Sequence, residues 1–442
     1  MMEKYTSTNV YWLYTGETPG LLITELASKP KGSEILTTFV DQSKFEEENV
    51  WWTTHFTNED TWFWEYVDVK TFPFTKSYYI QVVDPVISSL YNAQIDGQIV
   101  SATASSAVNP DHHLQFLMND VLLTNDDWDG AMRHSFSGSV NQQFLQPGLK
   151  ECSFIVNSRG LPASRYGFDF VSVSYTRSLK ADEDRLIFNA DPLNNVDVEV
   201  SNLSTIDNYL WNITNPLHPV SIKDIEFETG KVKFNQADLI RQEYIVMNQS
   251  AIKSVSGLIS HSSSPDLLSS HQQVDYLIIS PQAFLEGLQP LVDYRSSQGY
   301  EVLLVDLQDV YNQFNFGISH PIALKNFFGY IYQYWEPPAP QFVLLVGDGH
   351  WDLKNNRSST EVFFPPNFVW VDPLQGEVDS LSDLVAVAGD DIFPDAMIGR
   401  MPVNNSDELD AYIQKTILFE NTASDWKKNL TEIFEPGREI MA

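Results

Sequence analysis

The sequence predicts a multidomain protein, an all-β, sandwich- or jelly-roll-like N-terminal region followed by an incomplete α/β domain built on a parallel sheet. Three observations carry this reading. Between Tyr78 and Ser178, short alternating apolar segments recur at hairpin spacing, which is the grammar of an all-β sandwich. After a Ser-rich, aperiodic break at 261–273 the pattern changes to strands separated by helical segments. Within that second part the apolar run Phe342–Val346 drives directly into Gly347-Asp348-Gly349. A continuous apolar run closed by glycines reads as a strand buried on both faces, as in the middle of a parallel sheet.

Length and charge bound the rest. A chain of 442 residues exceeds what one core organises, so two or three domains are expected. With 43% hydrophobic residues it can bury sizeable cores, and the net charge of −32 then describes an acidic solvated surface rather than disorder. That charge repels phosphate backbones and anionic membranes, so nucleic acid is excluded as a natural partner, while divalent cations and basic peptides remain open. The single cysteine, Cys152, can form neither an intrachain disulfide nor half of a thiolate zinc site. No membrane span and no secretory leader are legible: no window approaches the ~18 apolar residues of a spanning helix, and MMEKYTSTNVYWL lacks a basic-then-apolar layout.

Taken in order, residues 1–77 are aromatic-rich, with NVYWLYTG, NVWW and TWFWEYV, and read as short strands whose rings pack beneath a sheet. Residues 78–180 form the sandwich. Asp96-Gly97 and Pro147-Gly148 are its tight-turn signals, and Phe168 to Tyr175 largely alternates apolar with polar, placing Asp169, Ser172 and Ser174 toward water. Cys152 lies on a strand as a small core residue, with no positioned base nearby to make it a nucleophile. His112 and His113 cannot chelate one metal together, because adjacent side chains on a strand face opposite ways. Residues 181–260 continue with short β segments, and 261–273 is the linker.

Residues 274–442 alternate strand and helix. Asp275–Ile279 is a strand, with Ser280 as N-cap and Pro281 as first residue of a helix running to Gln298 and closed by Gly299. A strand over 300–305 leads to an irregular piece containing Asp309, Tyr311 and Phe314. Pro321 opens the next helix and Pro337-Pro338 ends it. A long loop spans FFPPNFVWVDP at 363–373, Ala396–Ile398 is a short strand with Gly399-Arg400 as its exit, and Asn405 with Glu408 makes a capping box.

Open α/β sheets place their sites beyond the carboxyl ends of strands. The acidic turns Asp348, Asp390 and Asp391 are therefore the candidate metal ligands, and hard carboxylate oxygens favour structural Ca²⁺ over zinc. The alternatives are that Asp348 only bonds its own turn, or that Arg400 or Lys354 supplies the neutralising charge.

From 275 to 420 the order of VDYLIIS, QGYEVLLVD, HPIALKNFFGYIYQYW, VLLVGDGHWD, GDDIFPDAMIGRMPV and the helix ending in ILFE resembles the amino-terminal half of a gingipain-type cysteine peptidase domain. YTSTNVYWL, DDWDG at 126–130 and SVSYTRSL are similar to the β region that precedes it in large secreted members, including surface peptidases linked to type IX secretion. The resemblance implies a caspase-like fold, peptide substrates, an extracellular or cell-surface location, structural calcium without a ligand-by-ligand match, and a Cys-His dyad on two strands after the Ile-Gly-Arg strand and its helix. The sequence holds no cysteine after Cys152, and His350 lies on the earlier turn, so no catalytic residue is assigned. The expectation is a fragment lacking a leader and the second half of the peptidase unit, inactive alone. Two other readings stand beside it: a non-enzymatic surface, adhesion or secretion-associated module that keeps the scaffold, and a cation-dependent enzyme using Asp348, Asp352, Asp390, Asp391 and Asp395.

Overall fold

The computed structural model describes residues 5–422 except 18–19, 33, 53–60, 192–194, 237–239, 256, 260–264, 270–272, 358–360 and 373–374. The chain divides into two compact units, one of Met1–Trp12, His261–Val371 and Glu377–Ala442, the other of Leu13–Ser260 and Asp372–Gly376. No helix among the described residues is long and apolar enough to cross a membrane.

The β unit contains two layered cores. In the first, a sheet of strands Val121–Trp128, His112–Met118, Gly148–Asn157 and Phe74–Val82 faces a sheet of Met132–Asn141, Asn92–Ser101, Ser164–Ser178 and Thr38–Phe45. Every pairing within these two sheets is antiparallel. The two inner faces meet through Ile95, Phe116, Phe154, Phe168 and Val173, none of them accessible to water. The second core, around Phe188, Val198, Phe234 and Val246, is enclosed by strands drawn from 24–36 and 185–248. Trp62, Phe63 and Trp64 are buried, and Trp64 stacks on Tyr78 at 4.3 Å, so this aromatic segment packs against a sheet as expected, whereas NVYWLYTG at 9–16 forms no strand and leaves Tyr11, Trp12 and Tyr14 exposed.

Two local expectations for this unit fail, each for a packing reason. Asp96-Gly97 is not a turn but the middle of strand Asn92–Ser101, paired on both sides. Glycine is required there by close approach: a Cβ would stand 2.2 Å from Phe136 Cζ and 2.8 Å from the Phe170 carbonyl. Ser164–Ser178 does not alternate cleanly either: its register shifts between Phe168 and Phe170, so that Val171 and Val173 rather than Phe170 join Phe168 in the sandwich core, while Asp169, on the opposite face, is buried beside Arg133, whose guanidinium lies over the Phe63 ring. Asp169 is satisfied in its buried position by Arg133 at 2.8 Å. The histidine pair does split across the sheet, with His112 buried against Tyr166 at 3.0 Å and His113 on the other face with Asp127 at 2.7 Å.

In the α/β unit the elements are, in chain order, β1 (Tyr276–Ser280), α1 (Gln289–Ser297), β2 (Val302–Asp306), α2 (Leu307–Phe314), α3 (Pro321–Tyr334), β3 (Phe342–Val346), β4 (Phe368–Asp372), β5 (Gly376–Asp379), α4 (Leu381–Val385), β6 (Met397–Met401) and α5 (Ser406–Asn421). The sheet order is β2-β1-β3-β6, and every pairing is parallel. Its faces are covered by two separate apolar layers. Val310, Leu324, Phe327, Ile331 and Leu384 from α2, α3 and α4 pack against one; Leu291, Leu409 and Ile413 from α1 and α5 pack against the other. Covering both faces is what makes the strands read as unbroken apolar runs.

Helix boundaries follow the caps, some of them missed by sequence reasoning. The segment after β1 begins as two 3₁₀ turns, and only Gln289–Ser297 is α-helical; Ser280 does not cap it but donates to the Pro281 carbonyl. The irregular piece around Asp309 is the helix α2, started by Asp306, whose carboxylate accepts from Gln308 N at 2.9 Å. Pro321 opens α3 as expected, with His320 as the cap. The long loop contains the two-stranded β4–β5 ladder, and β6 extends through Arg400 to Met401. Of the 261–273 linker, Leu267 is buried in this unit's core, and Gln313 bonds both Leu267 N and the Pro265 carbonyl.

Candidate functional site

The order β2-β1-β3-β6 puts a topological switch point between β1 and β3, and the crevice beyond their carboxyl ends is where an open α/β sheet offers a site. The chain fills that crevice itself. Gly347 has φ of +122°, and a Cβ on it would meet Phe363 at 2.8 Å; the Phe363 ring in turn packs on Phe284 at 4.8 Å. The polar groups are displaced toward the exit of β6.

There the Gly347-Asp348-Gly349 turn is tied down by backbone bonds, Gly347 N to Met401 O at 2.9 Å, Asp348 N to Val403 O and Phe364 N to Asp348 O both at 3.1 Å. Gly349 is a close-approach glycine, since a Cβ would stand 2.8 Å from the Phe364 carbonyl and 3.0 Å from Arg400 Nη1. The Arg400 guanidinium is thereby laid beside the turn and donates to Asp379 Oδ2 at 2.8 Å, with Asp379 Oδ1 accepting from Asn367 N. Arg400 Nε is buried without a hydrogen-bond partner. Burial pushes the Tyr311 hydroxyl above its ordinary range, and a hydrogen bond with Ser319 followed by the charge of Arg400 works against that shift.

The predicted acidic ligands do not converge. Asp348 accepts from the next residue's amide, Gly349 N, at 2.8 Å; Asp391 accepts from Phe393 N at 3.0 Å; Asp390 is exposed. Asp352 and Asp395 also serve backbone: Asp352 accepts from Asn356 N and Arg357 N, and Asp395 from Val387 N and Ala388 N. Among the described residues no group of three or more His, Cys, Asp or Glu side chains is placed to hold a metal. Arg400 neutralises Asp379 rather than Asp348. Asp379 carried no sequence signal, because its partner is 21 residues away and the β4–β5 ladder that presents it was read as loop.

His350 Nδ1 accepts from Asp352 N at 3.0 Å and its ring stacks on Trp351, so it shapes the turn. Cys152, on strand Gly148–Asn157 of the other unit, is fully buried, and burial followed by the charge of Glu151 pushes its thiol up to about 12. Among the described residues, the groups gathered on this edge orient and neutralise charge, and no cysteine thiol is among them.

Comparison with known proteins locates this architecture. Residues 269–438 match Peptidase family C25. The crystal structure of dimeric latent PorU from Porphyromonas gingivalis is similar over 90% of this chain at a TM-score of 0.64 and 16% identity. The chain spans 39% of that PorU chain. A structure described as a protease (22% identity, 33% of this chain, 28% of that one, TM-score 0.24) and a CBM36-1 domain of a xylanase from the hindgut metagenome of Trinervitermes trinervoides (9%, 30%, 96%, 0.20) are likenesses too weak to speak to fold. No match is found among curated proteins. Residues 269–438 thus carry the likeness to Peptidase family C25, and the succession of β sheets and parallel α/β sheet follows the fold of PorU.

Proposed function

We propose that this chain supplies the scaffold of an extracellular or cell-surface gingipain-like cysteine peptidase without its nucleophile, and that the polypeptide as it stands does not cleave peptides. The single observation behind this is Cys152. A cysteine peptidase attacks the substrate carbonyl with a thiolate; the sole thiol here is fully buried in a β sandwich and held protonated at neutral pH. Likeness to a peptidase family implies protein substrates, to be cut once a Cys-His dyad is brought to the sheet. The location rests on the gingipain and PorU resemblance.

The test uses the purified chain. It should leave a general fluorogenic peptide library uncut, and iodoacetamide should label Cys152 only after denaturation. Turnover abolished by Cys152→Ala would overturn the reading. A non-enzymatic surface module keeping the same scaffold is the second reading, favoured by the same buried thiol; peptidase activity on adding a polypeptide that carries a Cys-His dyad would set it aside.

A further inference from the structure

The α/β unit is assembled from pieces distant in sequence, because residues 5–12 lie on it rather than on the β unit they lead into. Three side chains hold this arm. The Trp12 indole Nε1–H donates to the Phe316 carbonyl at 2.8 Å, a contact between residues 304 apart in sequence. Tyr5 packs on His320 with ring centroids 4.2 Å apart, and its hydroxyl accepts from Phe368 N at 3.4 Å. Val10 fits over Gly317, where a Cβ would stand 2.9 Å from Val10 Cγ1 and 3.4 Å from the Trp12 ring.

The surface under the arm is built to receive it. Phe316 has φ of +54° and Gly317 +89°, so the turn after α2 is left-handed at two successive residues, an arrangement a phenylalanine rarely adopts. The turn is held from inside by Gly317 N and Asn315 N donating to the Tyr311 carbonyl and by the buried Asn315 amide donating to Ile318 O. With those bonds made internally, the Phe316 carbonyl is left for Trp12. His320 caps α3, and Phe368 begins β4 of the ladder whose Asp379 pairs with Arg400, so the arm lies beside the strand-exit edge described above.

The arm nevertheless buries little of itself. Tyr11 is 87% exposed and Trp12 46%. Segments held by few buried contacts open at a small fraction of the global unfolding free energy. We propose that residues 5–12 are a detachable clasp on the α/β unit, and that the surface formed by the Phe316–Gly317 turn, His320 and Phe368 recognises an extended segment through a tyrosine, a valine and a tryptophan spaced as Tyr5, Val10 and Trp12. Opening the clasp uncovers the flank of the Arg400–Asp379 edge; closing it joins residues 5–12 to that edge. This goes beyond the peptidase reading and does not depend on it.

Hydrogen exchange on the full chain tests the clasp. In a Tyr5→Ala, Trp12→Ala double variant, amide exchange at 316–320 and at Phe368 should rise at least tenfold, while the β1 and β3 amides of Leu277–Ile279 and Val343–Leu345 stay unchanged. Excess synthetic peptide of residues 4–13 should restore the protection, and the same peptide with both aromatics replaced should not. The proposal is overturned if exchange at 316–320 does not change, if it rises equally in β1 and β3, or if the native peptide fails to restore it.

Discussion

Each unit carries an arginine–aspartate pair at 2.8 Å, Arg133–Asp169 in the β unit and Arg400–Asp379 in the α/β unit. The surroundings differ. Arg133 and Asp169 are 10% and 4% exposed, with Gln98 as a further acceptor and the Phe63 ring 5.4 Å from the guanidinium. Asp379 is 30% exposed, and Arg400 lies against a glycine turn at a strand exit. Equal geometry therefore has unequal roles. The first pair settles a carboxylate and a guanidinium buried beside Phe63 on the face of the sheet opposite the sandwich core, and removing one member takes a buried charge's ionic partner away. The second sits on an edge that loops define, where solvent screens part of its interaction.

The largest effect that would test this contrast is at Asp169. Asp169→Ala should destabilise the β unit by about 3–5 kcal/mol, the cost of taking the carboxylate from a buried guanidinium, read by denaturant unfolding; a loss no larger than at Asp379 would dissolve the distinction. Gly97→Ala comes next, at about 1–3 kcal/mol for forcing a methyl into the Phe136 ring. A neutral result there would mean the Phe136 side chain swings away and the glycine is not a packing requirement.

Asp379→Asn should cost about 1 kcal/mol or less, as for a partly exposed pair, and leave the β unit's unfolding unchanged. A pair joining α1 to α5 supplies a pH test. Arg295 donates to both oxygens of Glu420 at 2.7 and 2.8 Å, and this bond holds the Glu420 carboxyl below its ordinary value of 4.5. A depressed carboxylate contributes stability that is fully present above the unfolded value and is lost as pH falls through the lower folded one. Glu420→Gln should therefore lower the Tm of the α/β unit slightly at pH 7 and not at all well below pH 4. The smallest effect concerns Ca²⁺. Binding at Asp348, Asp390 and Asp391 requires a rise in Tm at millimolar calcium that the Asp348→Asn, Asp390→Asn double variant removes; with these carboxylates apart, little or no shift is expected.

Periodicity and caps, which are local, were legible in the chain itself. The apolar run of β3, the Pro321 start of α3, the Asn405–Glu408 capping box and the opposite faces of His112 and His113 all follow from neighbours a few residues apart. So did the change from a β region to a parallel α/β sheet, because strand and helix periods differ. What the chain alone could not determine depends on residues distant in sequence. Asp96-Gly97 has the composition of a hairpin turn, yet Phe136 from the neighbouring strand makes that glycine a packing site. Asp348 and Arg400 look like partners from their strand exits, but the β4–β5 ladder brings in Asp379 and takes the arginine. Tyr5 and Trp12 read as part of an aromatic β segment until the left-handed turn at Phe316 gives the indole its acceptor. Local order is set by the backbone and its nearest side chains; which polar group meets which is set by tertiary packing, since a buried donor takes whatever acceptor the fold carries to it.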